Sequence, residues 1–163
     1  MVSIRVRFIT TDGFVSTIIR KVTGSLFSHC EFGTPEGTWI GALVKGGIQE
    51  RAADYCTPTR EYIYEIPSTD VQEHEGLAWM RSMIGTKYNK RDIAGLMFQA
   101  RSVRSPHSYI CSQFCVDGLL GIFGVHRVLN VLYTRTEDWT YRITPEILHL
   151  SPIFAGCLAS KRG

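Results

Sequence analysis

The chain has 163 residues, with 44% hydrophobic and 20% charged residues and a formal net charge of +3. This length suits a single domain with a sizeable core, and the composition excludes a mainly disordered chain. The small net charge and the scattered basic residues argue against a nucleic-acid-binding protein. Because no apolar run approaches the roughly 20 residues that span a bilayer, we expect no integral membrane segment.

Strands dominate the first part of the chain. Ile4, Val6 and Phe8 alternate with Arg5 and Arg7, which predicts a half-buried strand over residues 2–10. The patterns that follow predict a helix over 14–22 and strands over 28–32, 38–44 and 60–66, with a hairpin loop over 33–37.

Helices dominate the rest. The sequence predicts helices from the caps at 68–70 through 84, over 91–99, and over the strongly apolar segment 109–123, which we expect in the interior. Thr144 and Pro145 predict the N-cap and first position of a last helix. We therefore expect one α+β domain over 1–163, with strands first and helices second.

The five cysteines, an odd number with no CxxC pair, form a poor disulfide framework. We expect them to stay as thiols in a reducing interior. A zinc site through Cys111, Cys115 and His107 is an alternative, but its spacing matches no usual tetrahedral ligand set. We expect neither a metal nor a cofactor.

Cys111 is the candidate nucleophile. If a helix begins there, the backbone N–H groups and the helix dipole stabilise a thiolate and lower its pKa from about 8.5. The alternative is a buried core cysteine, which is the interpretation we favour for Cys115 one turn later.

His29 is the candidate base. Strand alternation places His29 and Glu31 on one face and Cys30 on the other. None of the other histidines has a strand to hold it against a helix terminus; they are His74, His107, His126 and His149. A lone strand histidine is more often structural, so the residues alone support a catalytic and a structural role about equally.

Two motifs resemble a known family. Residues 85–88 (Gly-Thr-Lys-Tyr) and 109–113 (Tyr-Ile-Cys-Ser-Gln) are similar to the G-x-x-Y and C-S-[EG] signatures of NlpC-type papain-like peptidases, and 28–32 resembles their histidine strand. Histidine precedes cysteine here, as in the circularly permuted branch that includes YiiX-like proteins and the lecithin:retinol acyltransferase group. Residues 41–42, 46–48 and 142–145 also resemble a prophage and proteobacterial subset of that branch. The resemblance covers residues 4–148.

The resemblance implies a permuted papain-like fold, in which a small antiparallel sheet or half-barrel packs against helices and the nucleophile begins a buried helix. It implies that Cys111 is the nucleophile and His29 the general base and acid. Tyr88 matches a tyrosine close to the nucleophile, where it helps the Cys111 N–H stabilise an oxyanion. The alternative for Tyr88 is a packed turn aromatic.

This chain departs from the family pattern at two positions. Gln113 stands where the family often has glutamate, and Gly41 stands where a polar residue orients the histidine. Glu31, on the same face as His29, is the candidate substitute, with a water between them if needed. A surface carboxylate is the alternative interpretation of Glu31.

The implied function is cleavage of amide bonds in cell-wall or related peptides by a cysteine hydrolase, through a thioester acyl-enzyme on Cys111. One alternative is an acyltransferase or thioesterase acting on lipid-like acyl groups, so the expected partner is a small peptide or acyl substrate. Another is a non-catalytic phage or bacterial structural or binding module that kept the fold. Arg5 and Arg7 lie where a signal sequence is apolar, so we expect no signal peptide and a cytoplasmic or phage-associated location.

Overall fold

The computed structural model describes residues 2–88, 108–124, 128 and 143–163. The elements in these ranges are β1 (Val2–Thr10), α1 (Phe14–Thr23), β2 (His29–Gly33), β3 (Trp39–Leu43), β4 (Gly47–Arg51), β5 (Arg60–Ser68), α2 (Asp70–Ser82), β6 (Lys87–Tyr88), β7 (Ser108–Tyr109), α3 (Cys111–Phe123), α4 (Pro145–His149), a 3-10 turn (Pro152–Phe154) and β8 (Leu158–Arg162). The helix predicted over 91–99 lies outside the described residues, as do His107, His126 and Arg142.

Six strands form one antiparallel sheet in the order β4-β3-β2-β1-β5-β8. In the register of β1 and β2, Arg7 lies opposite Glu31 and Phe8 lies opposite Cys30. Because side chains alternate along a strand, these two pairs occupy opposite faces of the sheet. The α+β fold predicted from the sequence, with an antiparallel sheet against helices, is confirmed.

Helix α3 forms the centre of the core, as its apolar sequence predicts. Four of its residues have no exposed surface: Phe114, Cys115, Val116 and Leu119. Gly118 lets the helix pack closely, because a Cβ there would come within 2.8 Å of the Phe32 ring on β2. Burial on this scale, at about 25 cal/mol per Å² of apolar surface, fixes the helix and hence the position of its first residue.

Four strands were not predicted: β4, β8 and the two-residue strands β6 and β7. Gly46 and Gly47 have φ values of +96° and +76° and form the turn between β3 and β4, so the glycines that interrupt the β3 pattern begin a further strand. Strand β8 is exposed along its whole length and lacks the alternation that identifies a half-buried strand. In the described part of the chain, no helix is long and apolar enough to cross a membrane.

Candidate active site

Cys111 is the first residue of α3, as predicted. The N-cap residue Ile110 is extended and provides no side-chain hydrogen bond to the first turn. Strands β6 and β7 pair in parallel just before the helix, with Tyr88 opposite Tyr109. This pairing brings Tyr88 next to the segment that leads into Cys111. The first N–H groups of a helix have no intrahelical acceptor, so the helix start offers donors to an anion near the sulfur.

The structure brings Cys111 and His29 together. His29 is the first residue of β2, and its side chain interacts with the Cys111 thiol. Both side chains are largely buried: Cys111 is 4% exposed and the His29 side chain 14% exposed. The two residues are 82 positions apart in the chain, and the packing of α3 on the sheet places them side by side. Their catalytic roles stay a prediction.

Glu31 lies next to His29. Its Oε2 is 3.4 Å from His29 Nε2, an ion-pair distance that leaves no room for a water between the two atoms. Nε2 makes no direct hydrogen bond to any group in the described residues. The interpretation of Glu31 as a surface carboxylate is wrong, because its side chain is 0% exposed. Cys111, His29 and Glu31 therefore lie in a row.

Gly41 makes the space that Glu31 occupies. A Cβ at position 41 would lie 2.8 Å from Glu31 Cβ, 3.2 Å from Glu31 Oε2 and 3.2 Å from His29 Nε2. The expected orienter position on β3 is thus directly beside the imidazole, and the carboxylate of Glu31 fills it from β2. The glycine and the glutamate together give His29 a carboxylate neighbour.

Substitution of Gly41 by alanine tests this packing. We expect Gly41→Ala to separate Glu31 from His29, to cost about 1–3 kcal/mol of stability, and to lower the pKa of His29 toward 6.5. Chemical denaturation and NMR titration of the His29 ring measure the two effects. Gly121→Ala is the matched control, because a Cβ there meets nothing within 4 Å. An unchanged pKa of His29 in Gly41→Ala would contradict the expected displacement.

Two residues that sequence analysis did not identify hold the Glu31 carboxylate. The Arg7 Nε donates to Glu31 Oε1 at 2.8 Å, and its Nη2 donates to the same oxygen. The Tyr55 hydroxyl lies 3.0 Å from both carboxylate oxygens. The Trp39 ring packs on the Arg7 guanidinium, 4.2 Å from Cζ. Arg7 is itself 2% exposed, so this is a buried, charge-compensated network behind His29.

The network shifts the pKa values of both ionisable partners. Burial raises the pKa of Glu31, but the close contact and charge of His29 and the charge of Arg7 outweigh it and hold the pKa below its usual value. Burial lowers the pKa of His29, but its interactions with the Cys111 thiol and with the nearby charge of Glu31 outweigh that and raise the pKa to about 9. His29 is therefore protonated at neutral pH.

The expected low pKa of Cys111 is wrong. A hydrogen bond with the Cys30 thiol and burial raise the pKa of Cys111 well above that of a free cysteine, and His29 lowers it less. Cys30 lies on the sheet face that α3 covers, so two buried thiols meet there. The raised pKa values of both groups favour the fully protonated Cys111–His29 pair at neutral pH.

The raised pKa of His29 makes stability depend on pH. Between pH 6.5 and 9 the folded state holds a proton that the unfolded state has lost, so stability falls as pH rises through this range. A change from 6.5 to about 9 corresponds to roughly 3 kcal/mol, present in full below pH 6.5. The raised thiol pKa values act in the same direction above about pH 8.5.

Urea unfolding at pH 6.5, 8 and 9.5 measures this dependence. We expect His29→Gln to remove most of the decrease between pH 6.5 and 8, where the thiols contribute little. Stability that rises over this interval in the unmodified chain would contradict the assignment to His29.

A cavity of about 630 Å³ opens beside His29. Apolar side chains from α1 and β3 form much of its wall, among them Val15, Ile19 and Leu43. Tyr88 also lines it, so two of the predicted site residues face one space. The cations Lys45 and Arg51 line it as well, and no aspartate or glutamate does among the described residues.

Comparison with known proteins identifies a fold. No family model matches the chain, and no curated protein matches it. Among solved structures it is similar to the metalloprotein YiiX from Escherichia coli O157:H7, with a TM-score of 0.67, 10% identity, and coverage of 99% of this chain and 96% of that chain. Among the described residues, no group of three or more His, Cys, Asp or Glu is arranged to hold a metal ion. The chain has a YiiX-like α+β fold.

Proposed function

We propose that this chain is a permuted papain-like cysteine hydrolase that cleaves amide bonds in cell-wall or related peptides. The observation that supports the chemistry is the row of Cys111, His29 and Glu31, with the sulfur at the start of a buried helix. A nucleophile, a base and a carboxylate behind the base are what acyl transfer requires. The amide substrate comes from the resemblance of the two sequence motifs.

In the proposed reaction the pair first loses one proton, a step that the raised pKa of His29 makes favourable at alkaline pH. Because Nε2 is turned toward Glu31, Nδ1 of His29 is the nitrogen that takes the thiol proton. The sulfur then attacks the amide carbonyl carbon, and the oxyanion accepts a hydrogen bond from the Cys111 N–H at the helix start. We assign Tyr88, which lines the same cavity as His29, an assisting role in stabilising this oxyanion.

Collapse of the tetrahedral intermediate breaks the C–N bond, and His29 returns the proton to the leaving amine. The thioester on Cys111 is then attacked by a water whose proton passes to His29. Release of the acid regenerates the thiol. Glu31 stabilises the imidazolium that forms in each step, and Arg7 keeps Glu31 ionised.

A non-catalytic module was an alternative because Gly41 lacks an orienting side chain. The glycine no longer supports this alternative, since the carboxylate of Glu31 lies in the space beside Gly41 and next to His29. The apolar cavity supports a different second candidate. Val15, Ile19 and Leu43 offer a wall for a hydrocarbon chain next to His29, which suits a thioesterase or acyltransferase on lipid-like acyl groups.

Alkylation of Cys111 tests the proposal. We expect iodoacetamide to modify Cys111 first, with a rate that rises toward alkaline pH and falls at least tenfold in His29→Ala. Peptide mass mapping locates the label, and Cys115→Ala is the control that keeps the rate. Equal labelling of Cys115, or a rate indifferent to His29, would refute the hydrolase mechanism. Acylation of Cys111 by p-nitrophenyl esters of short and of long acids distinguishes the two candidate functions. A preference for long acids would favour the thioesterase or acyltransferase over the peptide hydrolase.

A further inference from the structure

Arg51, the last residue of β4, has donors without acceptors. It lines the cavity beside His29, and its Nε and Nη2 are buried with no hydrogen-bond partner in the described part of the structure. Buried guanidinium nitrogens are normally paired, because removing an N–H group from water without an acceptor costs free energy. These two nitrogens therefore suit a ligand that supplies the acceptors.

The guanidinium is also held in place. Its Cζ lies 3.9 Å from the centroid of the Tyr55 ring, a cation–π stacking distance. The Tyr55 hydroxyl is fixed in turn by both oxygens of Glu31, the carboxylate behind His29. A planar fork held on an aromatic ring loses little side-chain entropy on binding, so Arg51 is preorganised relative to the site.

The charge of the cavity wall selects the ligand. Arg51, Lys45 and a protonated His29 line it, with no carboxylate among the described lining residues. Glu31 lies behind His29 and its charge is compensated by Arg7. The rest of the wall is largely apolar. Such a cavity favours an apolar molecule with one anionic group, and a guanidinium fork matches the two oxygens of a carboxylate.

We propose that Arg51 binds a carboxylate of the substrate, so that the enzyme acts on acyl compounds bearing a free carboxylate. This inference rests on the proposed hydrolase function, because it treats the cavity as the substrate site. Arg51 acts here as a specificity residue and takes no part in the chemical step. The neutral amide or ester of the same substrate loses the charge-assisted pair and is the poorer substrate.

A series of N-iodoacetyl ω-amino acids of increasing length, each paired with its carboxamide, tests the proposal at pH 9. For each length, the rate at which the acid alkylates Cys111 is divided by the rate for its carboxamide. This ratio is then divided by the ratio of the rates at which the same two probes alkylate glutathione, which corrects for their intrinsic reactivity. We expect this normalised ratio to peak at one length and to fall about tenfold there in Arg51→Gln, because a charge-assisted hydrogen bond contributes roughly 1.5–3 kcal/mol. Arg51→Lys keeps the charge without the fork and should retain only part of the preference.

Lys21→Gln is the control, since it makes the same change of charge at an exposed position of α1 that does not line the cavity. Lys21→Gln should keep the same normalised acid-to-amide ratio as the unmodified chain. A flat ratio at all lengths, or an undiminished peak in Arg51→Gln, would overturn the proposal and leave the hydrolase intact. If neither probe alkylates Cys111, the hydrolase proposal fails instead. In that case calorimetry measures the binding of N-acetyl ω-amino acids to the unmodified chain and to Arg51→Gln. The comparison of the two affinities then tests the role of Arg51 independently of the hydrolase proposal.

Discussion

Replacing Glu31 by glutamine or alanine is expected to slow acylation of Cys111 by p-nitrophenyl acetate by about 10²- to 10⁴-fold. Glu31 Oε2 faces His29 Nε2 at 3.4 Å, so its charge stabilises the imidazolium and restrains the orientation of the ring. Alanine removes this charge, and glutamine can also present its amide N–H to Nε2, which favours the wrong tautomer. Both variants should lower the pKa of His29 from about 9, which NMR titration of the ring measures.

Glu61→Gln is the control for that experiment. Glu61 also accepts from Arg7, at 3.2 Å from Nη1, but forms no ion pair with His29. The Glu61→Gln variant should leave the acylation rate and the pKa of His29 unchanged. Circular dichroism establishes that each Glu31 variant is folded. Unchanged rates in both would remove Glu31 from the mechanism and leave His29 to be oriented by a backbone carbonyl or a water.

Local sequence patterns predicted the elements that have local causes. The alternation in residues 2–10 gave β1 with its observed bounds. Thr69 caps α2 through a capping box with Gln72, and Thr144 accepts from the Ile147 N–H with Pro145 at the first position of α4. These signals act over three or four residues, so the sequence displays them. Strand β8 has no such signal, because its partner β5 lies far away in the chain.

Local patterns and the order of the motifs predicted part of the candidate site. Strand alternation correctly placed His29 and Glu31 on one face, and the resemblance paired His29 with Cys111. The ion pair of Arg7 with Glu31 depends on the register of β1 against β2. That register, once known, places Arg7 directly opposite Glu31, but no pattern within either strand specifies it.

The pKa of Cys111 was wrongly predicted for a related reason. The prediction counted the helix start and His29, both of which favour the thiolate. It had no means of placing Cys30 against Cys111, since that contact forms only when α3 packs on β2. A second buried thiol and the loss of solvent reverse the direction of the shift. Tertiary packing therefore decides the protonation state of the nucleophile.

Replacing Arg7 by methionine is expected to lower the free energy of unfolding by about 3–5 kcal/mol at pH 7, because it leaves the fully buried Glu31 carboxylate without one of the two cations that compensate its charge. The packing of the guanidinium on Trp39 is lost as well, although methionine keeps much of the side-chain volume. Urea unfolding measures the change. Arg5→Met is the control: Arg5 donates to the Thr34 backbone carbonyl and forms no ion pair with a described carboxylate, so about 1 kcal/mol or less is expected.

The origin of this loss can be isolated by protonating or removing the unpaired charge. Without Arg7 the pKa of Glu31 should rise, so the folded state of Arg7→Met takes up a proton at a higher pH than the unmodified chain and its deficit should shrink toward pH 4. Arg7→Met combined with Glu31→Gln removes the buried charge outright and should recover most of the stability, since a neutral pair needs no counterion. A double variant no more stable than Arg7→Met would instead assign the loss to packing around Trp39. The two effects together would show that Arg7 keeps an ionised carboxylate buried behind His29.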